Sequence, residues 1–381
     1  MKEKAHTKEH HAKPKNHPWN NPRVIGISLA VLVVLSGSLL WAAVAFTGNS
    51  DANNGIGIEN AVTVNAAFTN EDANHLPETE ATELPRQLDG VLVAKEKANL
   101  LPWIIMFDNH PDARPHANLS KASVAYNTLV EGGATRIMAV FSPDNVSGEL
   151  GPVRSARPVY IEWLSEYNAA YMHAGGSPEA LQELSGFSLR DLNCLTNAAR
   201  YCYRGAGYAP HNLYTNTEKL TFAMRDLQYE DVQPDFRSWR FKDEDAIEAR
   251  GNFTELSLQY SSGTYNPHYE YDRERNVYLR FNANDPHMDR AQNVQIAPKN
   301  VVVQVIPEIV AIGEKGRLTL NVTGQGKAVL FRDGLVIEGH WEKPTRTDRT
   351  VFYADDGTEM KFNRGQSWVE VIPDGRGFPY H

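Results

Sequence analysis

The chain has 381 residues, and 41% of them are hydrophobic, which is enough for more than one domain with its own core. Its 47 acidic residues outnumber its 38 lysine and arginine residues, and the formal net charge is −9. A general nucleic-acid-binding protein usually has a basic face, so this balance excludes that class and we expect no nucleic-acid partner.

The N-terminal region has the pattern of a membrane anchor. Residues 1–23 are polar and basic, and their four histidines lack regular ligand spacing, so they predict a disordered cytoplasmic tail. Residues 24–46 contain no charge and reach the length of about 20 residues that a transmembrane helix needs. Because the basic flank precedes this run, we expect a single-pass signal anchor with the C-terminal part outside the cell. Ala43-Val44-Ala45 resembles a signal-peptidase site, so cleavage near Ala45 is the alternative.

Residues 47–85 predict a flexible linker, because they are rich in Asn, Ala, Thr and acidic residues and show little periodicity. Residues 86–240 then predict an α/β domain. Trp103–Phe107 is an apolar strand, and two further strands flank the turn Glu131-Gly132-Gly133 as a hairpin. One helix is expected from Pro158, and a second from Pro178 after the N-cap residue Ser177.

Residues 250–381 predict a mainly-β domain. Short alternating segments such as Tyr278–Phe281 and Trp368–Ile372 are separated by turn signals, among them Asp333-Gly334. The expected fold class is therefore an α/β extracytoplasmic domain followed by a mainly-β domain.

Three arginines are the main candidates for binding an anion. Arg136 follows the predicted hairpin turn, and Arg154 and Arg157 flank Ser155 in the segment GPVRSARP. An arginine side chain presents a planar fork that fits phosphate or carboxylate, so we predict that these four residues contact an anionic ligand. The alternative is that the arginines pair inside the fold with Glu131, Asp108 or Glu162.

The start of the second helix adds to this prediction. His173, Gly175, Gly176 and Ser177 lead into it, and a helix N-terminus supplies backbone donors and a favourable dipole for an anion. We expect these residues to contribute to the site together with two from the segment PHNLY, His211 and Asn212.

Asp108 and Glu131 are the candidate catalytic residues, since carboxylates can act in acid–base chemistry or hold a metal that assists phosphotransfer. With His110, His173 and His211 they are also candidate ligands of a divalent ion. No motif such as H-E-x-x-H is present, so the metal is not identified. Beside a phosphate, Mg²⁺ is expected in preference to zinc.

Two cysteines, Cys194 and Cys202, match no zinc or thioredoxin spacing. Outside the cytoplasm they would close a small disulfide loop, and the alternative is a pair of buried free thiols.

Several long segments resemble the YerB-like family, a bacterial extracytoplasmic family of unknown function. They include MFDNHPDARP, SKASVAYNTLVEGGATRIMAVF, GPVRSARPVYIEWLSEYNAAYMHAGGSPEALQ, PHNLY, YEYDRERNVYLRFN and GQSWVEVIP. The resemblance covers residues 88–381 and implies two linked domains in the cell envelope. The chain differs from the lipoprotein members in lacking a lipobox cysteine.

A second, more limited resemblance is to the LytR-CpsA-Psr phosphotransferases, in which an arginine block precedes a GG-P-E-x-A block. Here GPVRSAR precedes HAGGSPEA. The resemblance implies that the arginines hold the pyrophosphate of a polyprenyl-linked substrate with Mg²⁺. The aspartate that follows the arginine in that family is absent, since Ser155 follows Arg154 and Pro158 follows Arg157.

These observations predict a membrane-anchored extracytoplasmic protein that binds a phosphorylated or anionic envelope ligand, such as a lipid-linked glycan. The alternative is a non-enzymatic scaffold that binds another envelope protein. The sequence does not decide whether the protein is an enzyme.

Overall fold

The computed structural model describes residues 82–196, 198–307, 309–312 and 316–381, which belong to one compact unit. The predicted tail, the predicted anchor over residues 24–46 and all but the end of the predicted linker lie outside the described residues. Among the residues that the structure describes, no helix is long and apolar enough to cross a membrane.

A ten-stranded mixed sheet is the largest element of the fold. Its strands, numbered in chain order, are β1 Trp103–Asp108, β2 Val124–Leu129, β3 Thr135–Phe141, β4 Ala170–His173, β5 Arg190–Asn193, β6 Asn300–Ile306, β7 Gly324–Arg332, β8 Leu335–Lys343, β9 Val351–Ala354 and β10 Ser367–Pro373. Their order across the sheet is β9-β8-β7-β6-β10-β2-β3-β1-β4-β5. The neighbours β6–β10, β10–β2, β1–β4 and β4–β5 are parallel, and the other neighbours are antiparallel.

The centre of this sheet joins the two halves of the chain. Residues 367–370 of β10 pair in parallel register with residues 124–127 of β2. The segments 86–240 and 250–381 therefore contribute strands to one continuous sheet, and the domain boundary between them remains a prediction.

Shorter strands form the remaining sheets. They are Glu83–Pro85 with Leu92–Ala94; Glu149–Leu150, Leu213–Asn216 and Tyr203–Arg204; Arg240–Lys242 with Lys361–Asn363; Glu255–Ser257, Pro267–Asp272, Val277–Asn282 and Asp285–Pro286; Met288–Asp289 with Val294–Gln295; and Val310–Ile312 with Arg317–Thr319.

The described part of the chain contains few helices. The α-helices are α1 Pro158–Tyr167, α2 Pro178–Gly186, α3 Ala198–Tyr201 and α4 Thr217–Asp226. Short 3₁₀ turns cover Lys95–Lys97, Pro111–Ala113, Leu119–Lys121, Glu131–Gly133, Pro143–Asn145, Ile247–Ala249 and Gly263–Tyr265.

The architecture is mostly β, and the α/β class expected for residues 86–240 is not clearly expressed. Strand and helix alternate in the segment α1-β4-α2-β5, and β4 and β5 are parallel to β1, which precedes β2 and β3 in the chain. Antiparallel β2 and β3, joined at the predicted hairpin turn, occupy the other side of β1. The tight turn at Gly132 and Gly133 makes this antiparallel pairing possible, because both residues have positive φ values, of 69° and 74°.

Helix α1 packs on the sheet and is buried along most of its length. It begins at Pro158, and its Val159, Trp163 and Tyr167 are buried, as their spacing predicts. The Trp163 ring stacks on Tyr126 of β2 at a centroid distance of 4.9 Å. This packing fixes the position of the segment just before the helix, and that segment carries Arg154 and Arg157.

Candidate functional site

Polar residues collect at one edge of the sheet because of strand direction. Asp108 ends β1 and His173 ends the parallel β4, while Arg136 lies near the start of the antiparallel β3 and pairs with Asp108 in register. The segment 151–157 runs along the same edge, where the Arg154 amide donates to the Met106 carbonyl at 2.8 Å. The fold thus brings the predicted arginines and Asp108 together.

Glu131 pairs with two of the three arginines. Arg157 donates to its carboxylate through Nε at 2.7 Å and also through Nη2. Arg136, which is buried, approaches Glu131 Oε1 at 3.4 Å and donates to the Ser155 carbonyl at 2.8 Å. Burial opposes ionisation of Glu131, but the hydrogen bond from Arg157 and the charge of Arg136 outweigh it and lower its pKa to about 2. Both arginines therefore have a partner inside the fold.

Arg154 differs from the other two arginines. Its Nε lies 3.1 Å from Asp108 Oδ2, but without the geometry of a hydrogen bond. Its two terminal nitrogens make no hydrogen bond within the described residues, and its side chain is 25% exposed. The hydroxyl of the neighbouring Ser155 likewise makes no hydrogen bond within the described part of the chain. Arg154 can therefore donate to a group from outside the protein.

Asp108 is a buried carboxylate that connects Arg154 to a histidine. Its Oδ2 lies 2.7 Å from His211 Nδ1, and its Oδ1 accepts from the His110 amide at 3.1 Å. A carboxylate can only accept here, so His211 Nδ1 carries the hydrogen and His211 Nε2 keeps a lone pair. The His211 ring also stacks on His110 at 4.2 Å.

His173 is engaged within the fold. It is fully buried, with Nδ1 2.7 Å from the Gly175 carbonyl and Nε2 2.6 Å from Asp191 Oδ1. Both ring nitrogens are occupied, so His173 lies at the predicted edge but offers no nitrogen to a ligand. Gly175 has a φ of 61°, the left-handed conformation that glycine adopts most readily.

The N-terminus of α2 is capped by its own side chains. Ser177 Oγ accepts from the Ala180 amide at 3.3 Å, and the Ser177 amide donates to the Ala156 carbonyl. The Glu179 carboxylate accepts from its own amide and from Ser177, which lowers its pKa. Gly176 pairs as an isolated bridge with Ala156. The carboxylate of Glu179 therefore already lies at the N-terminus of α2, where the sequence predicts that an anionic ligand binds.

Asn212 stabilises the loop that carries His211. Its side-chain nitrogen donates to the carbonyls of Gly205 and Gly207 at 3.0 Å, and its oxygen accepts from Arg204. Asn212 therefore stabilises the loop, and its neighbour His211 is the residue that contacts Asp108.

One group of residues in the described chain has the composition of a metal site. Ligating atoms of His110, Asp112 and His211 lie within 4.8 Å of one another. Both histidines are among the ligands predicted from the sequence, and Asp112 is not. The signal for Asp112 is its place in the block MFDNHPDARP, two residues after His110 and directly behind a strand end.

Comparison with known protein families places this chain in one of them. Residues 88–230 match the N-terminal domain and residues 256–369 the C-terminal domain of the family described as "Protein of unknown function (DUF3048)". The chain belongs to this family, which confirms the resemblance to YerB-like proteins.

One relative, YerB of Bacillus subtilis, is matched both in sequence and in structure. The chain is 28% identical over 305 residues to YerB of Bacillus subtilis (strain 168), a candidate lipoprotein, and the match covers 78% of this chain and 89% of YerB. It is also similar to the crystal structure of Bacillus subtilis YerB, with a TM-score of 0.70 and 25% identity over 78% of this chain and 99% of that chain.

Proposed function

We propose that this protein is an extracytoplasmic envelope protein that binds a phosphorylated or otherwise anionic ligand through Arg154. The observation that carries the proposal is that Arg154, alone of the three predicted arginines, makes no side-chain hydrogen bond within the described residues, although its Nε lies 3.1 Å from Asp108 Oδ2. A guanidinium binds phosphate or carboxylate through two parallel hydrogen bonds, and the fork of Arg154 is available for that contact.

The surroundings of Arg154 favour an anion. Arg136 and Arg157 lie on the same sheet edge, and their two positive charges are opposed by the one carboxylate of Glu131. The hydroxyl of Ser155 is an additional donor next to Arg154. With Arg154 and its neighbour Asp108 included, three guanidinium groups stand against two carboxylates, so an incoming phosphate would meet a locally positive surface on a chain whose formal net charge is −9.

The proposed location has three supports. The chain carries the predicted anchor, its relative YerB is a candidate lipoprotein, and Cys194 forms a disulfide with Cys202. Disulfides persist mainly in oxidising compartments outside the cytoplasm. The predicted acid–base roles of Asp108 and Glu131 stay predictions, and we assign no reaction.

Thermal unfolding of the full-length chain with and without pyrophosphate, and with a polyprenyl phosphate analogue, tests the proposal. A ligand at 100 times its dissociation constant should stabilise the protein by about 2.7 kcal/mol. Arg154→Gln should weaken binding roughly 10- to 100-fold, because hydrogen bonds to charged groups contribute about 1.5–3 kcal/mol each.

The matched control is an exposed arginine outside the candidate site. Arg225→Gln, on α4, should leave the ligand-induced shift unchanged, because Arg225 is exposed and pairs with Glu230. A shift that persists in Arg154→Gln, or no shift with either ligand, would overturn the proposal. The second result would favour the scaffold alternative.

A further inference from the structure

A turn and a loop bring two imidazoles and a carboxylate together beside Asp108. His110 and Asp112 belong to the turn after β1, where Pro111–Ala113 form a 3₁₀ turn. His211 comes from the loop before the strand Leu213–Asn216. We infer that His110, Asp112 and His211 bind a divalent transition-metal ion of the zinc class.

The hydrogen bond between His211 and Asp108 prepares His211 to act as a ligand. Since His211 Nδ1 donates to the buried Asp108 at 2.7 Å, the ring is held in the tautomer with a free lone pair on Nε2. Metal-binding histidines characteristically donate their second nitrogen to a carboxylate in this way, which orients the ring and raises its basicity. Asp108 is thus a positioning residue for this site, and this contact is independent of the proximity of the three ligands.

The separation of the ligand atoms is compatible with closure around an ion. Zinc bonds to nitrogen and oxygen are about 2.0–2.2 Å long, so ligand atoms around a tetrahedral ion lie roughly 3.3 Å apart. The three ligands now lie within 4.8 Å of one another. His110 and Asp112 have side chains that are 41% and 75% exposed and can rotate inward, whereas His211 is held by Asp108.

Closure requires the loss of two contacts. The rings of His110 and His211 are stacked with an interplanar angle of 17°, and they must turn out of this arrangement before both can direct a nitrogen at one ion. His110 Nδ1 accepts a hydrogen bond from the Asp112 amide at 3.2 Å. A metal-bound neutral imidazole has no second lone pair, so this bond would break as the ion binds. The free-energy cost of losing this hydrogen bond is small, because the bond is long and the amide lies at the surface.

The donor set selects the class of metal. Two imidazoles with one carboxylate suit zinc and its first-row neighbours, whereas Mg²⁺ and Ca²⁺ prefer oxygen ligands throughout. The donor set therefore favours zinc over the Mg²⁺ expected from the sequence. Three protein ligands leave a coordination position open. Asp108 contacts both His211 and Arg154, so this position lies on the same side of the fold as the Arg154 fork.

Isothermal titration of the full-length chain with ZnCl₂, in the absence of phosphate, tests the inference. Every sample should have Gln in place of the histidines at positions 6, 10, 11 and 17, so that these histidines do not contribute to the measured Zn²⁺ binding. We expect one Zn²⁺ per chain, and Co²⁺ should produce visible absorption at the same stoichiometry. Asp112→Ala and His211→Ala should each weaken binding at least 10-fold, and Asp108→Asn should weaken it roughly 10- to 100-fold.

Two controls separate this site from other histidines and from the proposed anion site. His340→Ala removes a comparably exposed histidine beside Glu342 and should leave Zn²⁺ binding unchanged. Arg154→Gln should also retain the ion, so failure of the anion proposal would leave this inference standing. The absence of stoichiometric Zn²⁺ binding, or binding that survives Asp112→Ala, would overturn it. Because Asp112 is at the surface, its replacement tests binding without unfolding the protein.

Discussion

His116 Nδ1 lies 2.7 Å from His287 Nε2, although 171 residues separate the two histidines in the chain. Arg280 approaches His287 Nδ1 at 2.6 Å, and since a guanidinium only donates, His287 must accept there and donate from Nε2. His116 in turn donates from Nε2 to the Asp108 carbonyl at 2.7 Å. This directed chain of hydrogen bonds links the C-terminal family segment to the strand end that carries the candidate site.

The two histidines should make stability depend on pH in the mildly acidic range. Burial lowers the pKa of His116 to about 4, with Arg114 and Arg280 adding to the effect and Asp108 opposing it. Burial also lowers the pKa of His287, with the charge of Arg280 as the next cause. Below the ordinary value of 6.5 the unfolded chain therefore binds more protons than the folded protein. The contribution of the two histidines to the free energy of unfolding is therefore fully present above pH 6.5, and it is lost as the pH falls toward 4.

The expected loss from His116 alone is about 3 kcal/mol across this window. Urea unfolding at pH 7.5, 6.5, 5.5 and 4.5 measures it. His116→Gln keeps one donor and one acceptor but cannot titrate, so its stability should vary less with pH. His340→Gln, at an exposed site, should retain the wild-type dependence. Equal pH profiles for all three proteins would contradict the prediction.

Glu131→Gln should destabilise the protein by about 3 kcal/mol or more, because it leaves the buried Arg136 without a countercharge. Burial, followed by the charge of Arg157, already lowers the pKa of Arg136 to about 10. Denaturant unfolding at pH 7 gives the value. Glu230→Gln breaks an exposed pair with Arg225 and should cost less than about 1 kcal/mol. Similar losses in the two variants would show that Glu131 does not stabilise the arginine cluster.

We expect Glu370 to make the main contribution to stability in the buried contact between β10, β2 and the strands around Arg280. It is fully buried, lies 3.3 Å from Arg280, and accepts hydrogen bonds from Asn127 and Tyr260 at 2.8 and 2.9 Å. Arg280→Met should cost about 3–5 kcal/mol, because it leaves an unpaired buried carboxylate. The double variant Arg280→Met/Glu370→Leu should lose less than the sum of the single losses, which a double-mutant cycle measures. Strict additivity would exclude this coupling.

The disulfide between Cys194 and Cys202 should stabilise the fold by about 2–3 kcal/mol, since it closes a short loop in the unfolded chain. Its Cα atoms are 5.5 Å apart, within the usual range. The double variant Cys194→Ala/Cys202→Ala should show this loss in denaturant unfolding under oxidising conditions. With dithiothreitol added, wild type and variant should converge. An unchanged unfolding midpoint in the variant would contradict the prediction.

Much of the local structure could be predicted from sequence. Helix α1 begins at Pro158, α2 is capped by Ser177, and the hairpin turns at Glu131-Gly132-Gly133, all as expected. Strand β8 was missed, although the turn Asp333-Gly334 before it was recognised. Its sequence LVIEGHWEK has several exposed and charged residues and lacks the regular alternation of a half-buried strand.

The sequence predicts most of the residues that form the candidate site, but it does not predict which side chains pair with each other. The arginines, Asp108 and His211 were selected because they follow strand ends or precede helices. The sequence does not show which arginine makes no side-chain hydrogen bond within the fold, because Arg157 and Glu131 are 26 residues apart and Asp108 and His211 are 103 apart. Asp112 was overlooked, since its nearest chemical partners include a histidine from a distant loop.

The sequence by itself determined the short-range features of this protein: the helix ends, the hairpin, the apolar strands and the family blocks. These depend on propensity, capping and periodicity, which act over a few residues. Only the tertiary structure decided that both segments share one sheet, and that Glu131 pairs with both Arg136 and Arg157 while the terminal nitrogens of Arg154 make no hydrogen bond within the described residues. Hydrogen bonds and ion pairs require atoms within about 3–4 Å, and the packing of distant strands sets those distances.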